Sequence, residues 1–373
     1  MAPEFPRKIH HPPLIPEKVL KRHNVHEAFD TRFRAAARLL QSIWREDREL
    51  PAGSYVNEAG KRRKLGSRIT VAAGDAGANF LNADVAHIAR RECAYREPGA
   101  MIDEERLATN LLSSMPLVFN LFAPWVSALE QASCFLRETL PSFAGEATQV
   151  LFEHSPRRGS PLFTFDYTAF DALIRYVDSE GRRGFVAIEV KYAEGMREPV
   201  RERTPERVAH YDTVSERCGL YTDHSSPVLR ANPLQQLWRE HMLAQSMIDK
   251  GLYDEGYFVF VSPELNYQTQ SAAGLYANHL ALASDGKVRF VNLPLEDAIE
   301  TIRLCDPVHA DALYRRYCDF WLVDGELELN APLFGALRKT GRAKVVPPAA
   351  PLSLPSPTAT TKKRRRRKPT EAA

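Results

Sequence analysis

The arrangement of hydrophobic and polar positions predicts alternating helices and strands, with strands densest in the middle of the chain. Phe170–Val177 and Phe185–Tyr192 are rich in β-branched and aromatic residues and read as two strands. Between them, Asp178-Ser179-Glu180-Gly181-Arg182 is a polar turn whose glycine supplies the left-handed backbone that hairpin loops need. Thr148–His154 is expected as a preceding strand, Gly256–Ser262 as a short buried one, and Val288–Asn292 as another.

Apolar spacings of three and four predict helices elsewhere. The first is His26–Trp44, with Phe29, Phe33, Ala36, Ala37 and Leu40 inward and Arg32, Arg34, Arg38 and Arg45 on a solvated or phosphate-contacting face. Gly77–Arg96 follows, then Glu104–Ser114 behind an Asp103 cap and ended by Met115-Pro116, then a helix opened by a capping box at Ser127–Glu130 and ended by Pro141. A strong helix from Asn232-Pro233 to Lys250 buries Leu234, Leu237, Trp238, Met242 and Met247, leaving Gln235 and Gln236 off that stripe. Leu295–Leu304 and Asp311–Leu322 are the last two. Residues 51–67, with basic Lys61–Lys64, and residues 195–231 read as loops.

Composition narrows the class. With 373 residues, 44% hydrophobic and 26% charged, the chain has ample material for a core, and no run approaches the ~18 apolar residues of a membrane span. Five scattered cysteines without CxxC spacing suit neither a zinc site nor a disulfide framework, and a reducing cytoplasmic location is expected. Net charge is +3, yet Lys362–Lys368 alone carries seven positive charges, so the remainder is net acidic and any basic surface must be local. The proline-rich, then basic, residues 344–373 are expected to form a disordered tail, adding nonspecific nucleic-acid affinity, acting as a nuclear address in a eukaryotic cell, or serving only solubility.

Candidate chemistry gathers on the hairpin. Alternation puts Glu189 and Lys191 on one face and Val186, Ile188 and Val190 on the other. Pairing symmetric about position 180 sets Asp171 opposite Glu189, with Cβ atoms about 5 Å apart. Two carboxylates so close call for a proton or a cation between them, and a lysine lies one pleat away. A hard divalent cation is the expected occupant. A lone Glu-x-Lys would be an ordinary surface ion pair; its place at the end of an apolar strand is what distinguishes it. His154, Arg157 and Arg158 precede the hairpin, either clamping phosphates near the cation or simply solvated. Ser113-Ser114 lacks the GxSxG surroundings of a hydrolase nucleophile, and no GxxxxGK phosphate loop occurs.

Asp171 followed by Glu189-Val190-Lys191 resembles the PD-(D/E)XK nuclease superfamily, with Phe170 where the family proline would stand. The blocks LGSRIT (65–70), LATNLLSSMPLVFNLF (107–122), FDALIRY (170–176), EVKYAE (189–194) and NPLQQLWR (232–239) extend the resemblance from about Leu65 to Leu322, to an uncharacterised bacterial branch. It implies an α/β, restriction-endonuclease-like core at 143–330, a mixed central β-sheet flanked by helices. Before it would come an N-terminal basic helical extension at 1–65 and a helical region at 66–142. It also implies a Mg²⁺-dependent nuclease acting on DNA, with Mn²⁺ able to substitute. Asp171, Glu189 and the Val190 carbonyl would be ligands, Lys191 would orient or help deprotonate a water, and Gln235 or Gln236 would lie near metal or substrate. Glu153, Glu130 and Glu138 are the candidates for a third acid. A homodimer is compatible with this reading, and a catalytically inactive nucleic-acid-binding module is its alternative.

Overall fold

A five-stranded mixed sheet organises the chain in a computed structural model that describes residues 9–56, 59–140, 143–197, 203–282 and 285–330. In chain order, α1 (Glu17–Arg22) and α2 (Arg32–Asp47) precede a small hairpin of β1 (Ala52–Val56) and β2 (Arg62–Ile69). Helices α3 (Val71–Asp75), α4 (Ala83–Ala94), α5 (Glu104–Thr109), α6 (Ser114–Phe122) and α7 (Leu129–Thr139) lead into β3 (Gly145–His154), β4 (Phe170–Asp178) and β5 (Arg183–Val190). Then come α8 (Pro205–Cys218), α9 (Gln235–Asp249), β6 (Glu255–Ser262), α10 (Tyr267–Ala277), β7 (Arg289–Pro294), α11 (Leu295–Arg303), α12 (Pro307–Tyr317) and α13 (Trp321–Asn330).

The sheet order is β3-β4-β5-β6-β7. Strands β3 to β5 are antiparallel neighbours, whereas β5, β6 and β7 run parallel. A parallel neighbour cannot be reached by a tight turn, so the chain crosses over through α8 and α9 before entering β6. Both sheet faces are covered, and β5 is buried along nearly its whole length. On one face Ala172, Ile174, Val186, Ile188, Val259 and Val261 pack with residues of α2, α6, α7, α11 and α12. On the other, Leu173, Phe185, Ala187, Phe258 and Phe260 meet Trp238, Met242 and Met247 of α9 and Tyr211 of α8. Residues up to Asn330 form one unit. Residues 331–373, including the basic run expected at Lys362–Lys368, lie outside the described residues, as does Pro141.

Several expectations change. The helix expected from His26 begins at Arg32, because the Thr31 hydroxyl accepts the Arg34 N–H as an N-cap, and Phe29 is left fully exposed. Its Arg38 and Arg45 are buried: Arg38 pairs with Asp30, and Arg45 donates to the Gly66 and Leu50 carbonyls. The expected loop at 51–67 is the β1–β2 hairpin, closed so tightly that a Cβ on Gly53 would sit 2.2 Å from the Ile69 carbonyl oxygen. Met115-Pro116 does not end a helix but sits in the first turn of α6, where a missing N–H costs little. No side-chain cap forms at the start of α7, whose N-cap is Ala128. The 195–231 excursion contains α8, capped by Thr204 and ended by Gly219 in the left-handed conformation.

Candidate functional site

The β4–β5 ladder pairs Ala172 with Ile188 and Leu173 with Ala187, the register symmetric about residue 180. One step further along the same register, Asp171 faces Glu189. Strand β3 joins the row: Phe152 pairs with Ala172 and His154 with Phe170, which sets Glu153 beside Asp171. Three acids therefore stand side by side at the end of three adjacent strands. At Glu153 the backbone is left-handed, with φ of 46°, a local break in the pleat one residue before β3 ends.

Two kinds of contact hold the acids. The Val190 N–H donates to Asp171 Oδ2 at 2.8 Å. Lys191 Nζ lies 2.7 Å from Glu189 Oε1, and Gln236 Nε2 donates to that oxygen at 2.7 Å. The Lys191 backbone N–H bonds to the Val261 carbonyl, continuing the parallel pairing one residue past β5 and fixing where the lysine starts. Glu189 and Lys191 are buried, and Asp171 is partly exposed.

The electrostatics follow from that crowding. Burial and the adjacent Glu189 carboxylate push Asp171 well above the usual carboxylate range. Burial alone would disfavour the Lys191 ammonium, but Glu189 and Asp171 outweigh it and raise its pKa. Burial also raises Glu153, with Arg158 opposing the shift. Glu194, three residues past Lys191, is pushed up by burial, yet Lys191, Ser114 and Arg106 together hold it below the ordinary range. It accepts hydrogen bonds from the Ser114 N–H and hydroxyl and from Arg106, tying the end of β5 to α6.

The structure separates the remaining candidates. Gln236 reaches Glu189; Gln235 instead turns to Arg203 and Arg239. Glu130 and Glu138 sit exposed on α7, which covers the opposite sheet face, so neither joins the carboxylates. Which sheet face α7 covers, invisible in a list of acids, decides this. Of the cations before the hairpin, Arg158 is folded inward, donating to the Glu153 carbonyl and lying near Glu97. His154 Nδ1 is 2.6 Å from Glu97 Oε1, while Arg157 is exposed.

One acid of the site was not foreseen. Glu240 is buried and accepts from Gln236 Nε2 at 2.9 Å, so one amide bridges Glu189 and Glu240. Burial and the Glu189 charge push Glu240 well above the usual range, and its Oε2 is buried without a hydrogen-bond partner. Its signal in the sequence is only the four-residue step from Gln236, which places both on one helix face.

Among the described residues no three His, Cys, Asp or Glu side chains converge to hold an ion by themselves. Asp171 and Glu189, opposed on neighbouring strands, with Asp171 pushed up by burial and by the Glu189 charge, still fit a hard cation. Oxygen donors of this kind suit Mg²⁺, which takes few protein ligands and keeps several waters.

Comparison with known proteins follows the same line. The family model described as PD-(D/E)XK nuclease superfamily matches residues 28–319. The match begins ahead of Leu65, so α2 and the β1–β2 hairpin fall within it. No curated protein and no solved structure gives a significant match.

Proposed function

Because this chain belongs to the PD-(D/E)XK nuclease superfamily, we propose that it is a divalent-metal-dependent nuclease that hydrolyses DNA phosphodiester bonds at Asp171, Glu189 and Lys191. The observation that carries this reading is the row of opposed carboxylates with Lys191 Nζ 2.7 Å from Glu189. Asp171, Glu189 and the Val190 carbonyl would hold the cation. When bound, such an ion supplies Lewis-acid stabilisation of charge on the phosphate.

The protein's own groups do the rest. Lys191, paired with Glu189 and near the Asp171 charge, stays an ammonium through neutral pH, so it acts as a hydrogen-bond donor that orients the attacking water and stabilises developing negative charge. Gln236 fixes the Glu189 carboxylate from α9 and keeps it apart from Glu240. Glu153 is the third acid of choice, by its place in the row. Burial of Glu189 and Lys191 excludes water from one side of the centre, which strengthens each of these interactions.

The test is incubation of the full chain with end-labelled DNA and RNA of matched sequence, in Mg²⁺ and in chelator. Metal-dependent breakage of DNA supports the reading. RNA breakage alone would move the substrate assignment, and no breakage of either would remove the activity.

A further inference from the structure

The sheet face bearing Asp171 and Glu189 continues along β4 into a groove of about 730 Å³. Its rim carries Arg157, Arg175, Arg183 and Lys250, and no carboxylate lines it. Arg175 lies four residues along β4 from Asp171 on the same face, roughly 13 Å away at strand spacing. Arg157 and His154 sit at the other end, where β3 passes the acids. The groove therefore runs from the hairpin turn to the edge of the carboxylate row.

These cations are poorly satisfied by the protein. Arg157 and Lys250 are exposed and have no carboxylate partner among the described residues. Arg175 Nη1 donates to Gln149, but its Nε is buried without a partner. Arg183 has one loose ion pair, 3.7 Å from Asp254, and a long hydrogen bond to the Gly251 carbonyl at 3.3 Å. In a chain whose charge outside Lys362–Lys368 is net negative, such a cluster is a local field awaiting an anion. Between the cations the lining is apolar, and Leu162 and Leu252 stand exposed in it.

We infer that this groove binds a single-stranded stretch of polynucleotide flanking the bond to be cut, its phosphates on the cationic rim and its bases on the apolar lining. The inference rests on reading Asp171, Glu189 and Lys191 as a phosphodiester-cleaving centre. A single strand offers both an anionic backbone and open base faces, and grooves that combine cations with apolar platforms match that pairing. A duplex shows phosphates on a convex surface with its bases stacked inside. It would engage the rim and leave Leu162 and Leu252 in water.

The test reads binding without cleavage: anisotropy of labelled single-stranded DNA and RNA and of a duplex of equal length, in chelator. Wild type is compared with Arg157→Glu/Lys250→Glu, whose side chains are exposed and unpaired. The variant is expected to bind single strands about tenfold or more weakly, with a salt slope lower by about 1.4. As a second measurement on unmutated protein, a thio-substituted photoreactive oligonucleotide is expected to attach within residues 157–163 or 250–253. Equal binding by the variant, attachment elsewhere, or tighter binding of duplex than of single strand would overturn the groove assignment. The two readings fail separately: Asp171-dependent cleavage without groove binding removes only the groove, and groove binding without Asp171-dependent cleavage removes only the centre.

Discussion

Gln236 bridges two acids of the site, donating one amide to Glu189 and Glu240 at once. A neutral donor between two buried acids tolerates no added charge. Gln236→Ala is expected to lower cleavage about tenfold by freeing Glu189, while Gln236→Glu should lower it further, by roughly a hundredfold, by setting a third carboxylate against them; rates from the two variants under identical Mg²⁺ check the order. His241, one residue beyond Glu240, gives a stability prediction independent of catalysis. Burial holds its pKa down at about 4, against an ordinary 6.5, and its ring spans the Tyr276 hydroxyl and the Val288 carbonyl as a neutral group. The unfolded chain then binds more protons than the folded one between those two values, so stability is full above the higher and is lost as pH falls toward the lower. The loss from this group is about 3 kcal/mol. Urea unfolding at several pH values should show His241→Gln with a shallower decline than wild type across that interval; the same slope in both would remove the assignment. At this scale the sequence disclosed Asp171, Glu189 and Lys191, because strand parity and a symmetric turn suffice to place them. It could not separate Gln235 from Gln236, which depends on the phase of α9, nor reveal Glu240, whose role exists only once α9 lies over β5.

The β4–β5 hairpin is the element that makes the site, since a slip of one residue would send Asp171 and Glu189 to opposite faces. Its register is secured at the turn end, where the Tyr176 ring lies over Gly184 so closely that a Cβ there would sit 2.1 Å from the ring. Tyr176 is buried, and its hydroxyl donates to Glu255 on β6. Gly184→Ala must displace the ring, and it is expected to cost about 3 kcal/mol and to depress cleavage with it. Thermal unfolding and cleavage measured together check that both fall; unchanged stability would mean that the ring yields freely. This hairpin was legible because both strands are apolar and the turn carries a glycine at the needed position. The β1–β2 hairpin was not, because Lys61–Lys64 gives its second strand an exposed basic start that looks like a loop, and its closure depends on Gly53. The start of α2 was misplaced for a similar reason: the apolar spacing runs through Phe29, but Thr31 caps the helix after it.

For the molecule as a whole, charge is arranged unevenly. Seven positive charges in Lys362–Lys368 exceed the net charge of +3, while the rim of the β4 groove concentrates cations on an otherwise acidic body. Removing residues 344–373 is expected to weaken DNA binding at low salt and to change it little at high salt, because contacts to phosphate are traded against released counterions; equal affinity at every ionic strength would deny the tail any part in binding. The mixed α/β architecture could be read from the order of elements and from the family resemblance, and no described helix is long and apolar enough to cross a membrane. The layering could not, because which helices cover which sheet face depends on packing: α7, offered for a third acid, lies on the face away from the carboxylates. The central claim is that the Asp171–Glu189–Lys191 centre breaks phosphodiester bonds. Its most direct test is single-turnover cleavage of labelled DNA in Mg²⁺ by wild type, Asp171→Asn and Lys191→Ala, with unfolding curves recorded for each. The account predicts cleavage by wild type that chelator abolishes, and rates lower by about a hundredfold or more in both folded variants. Equal rates in all three would contradict it.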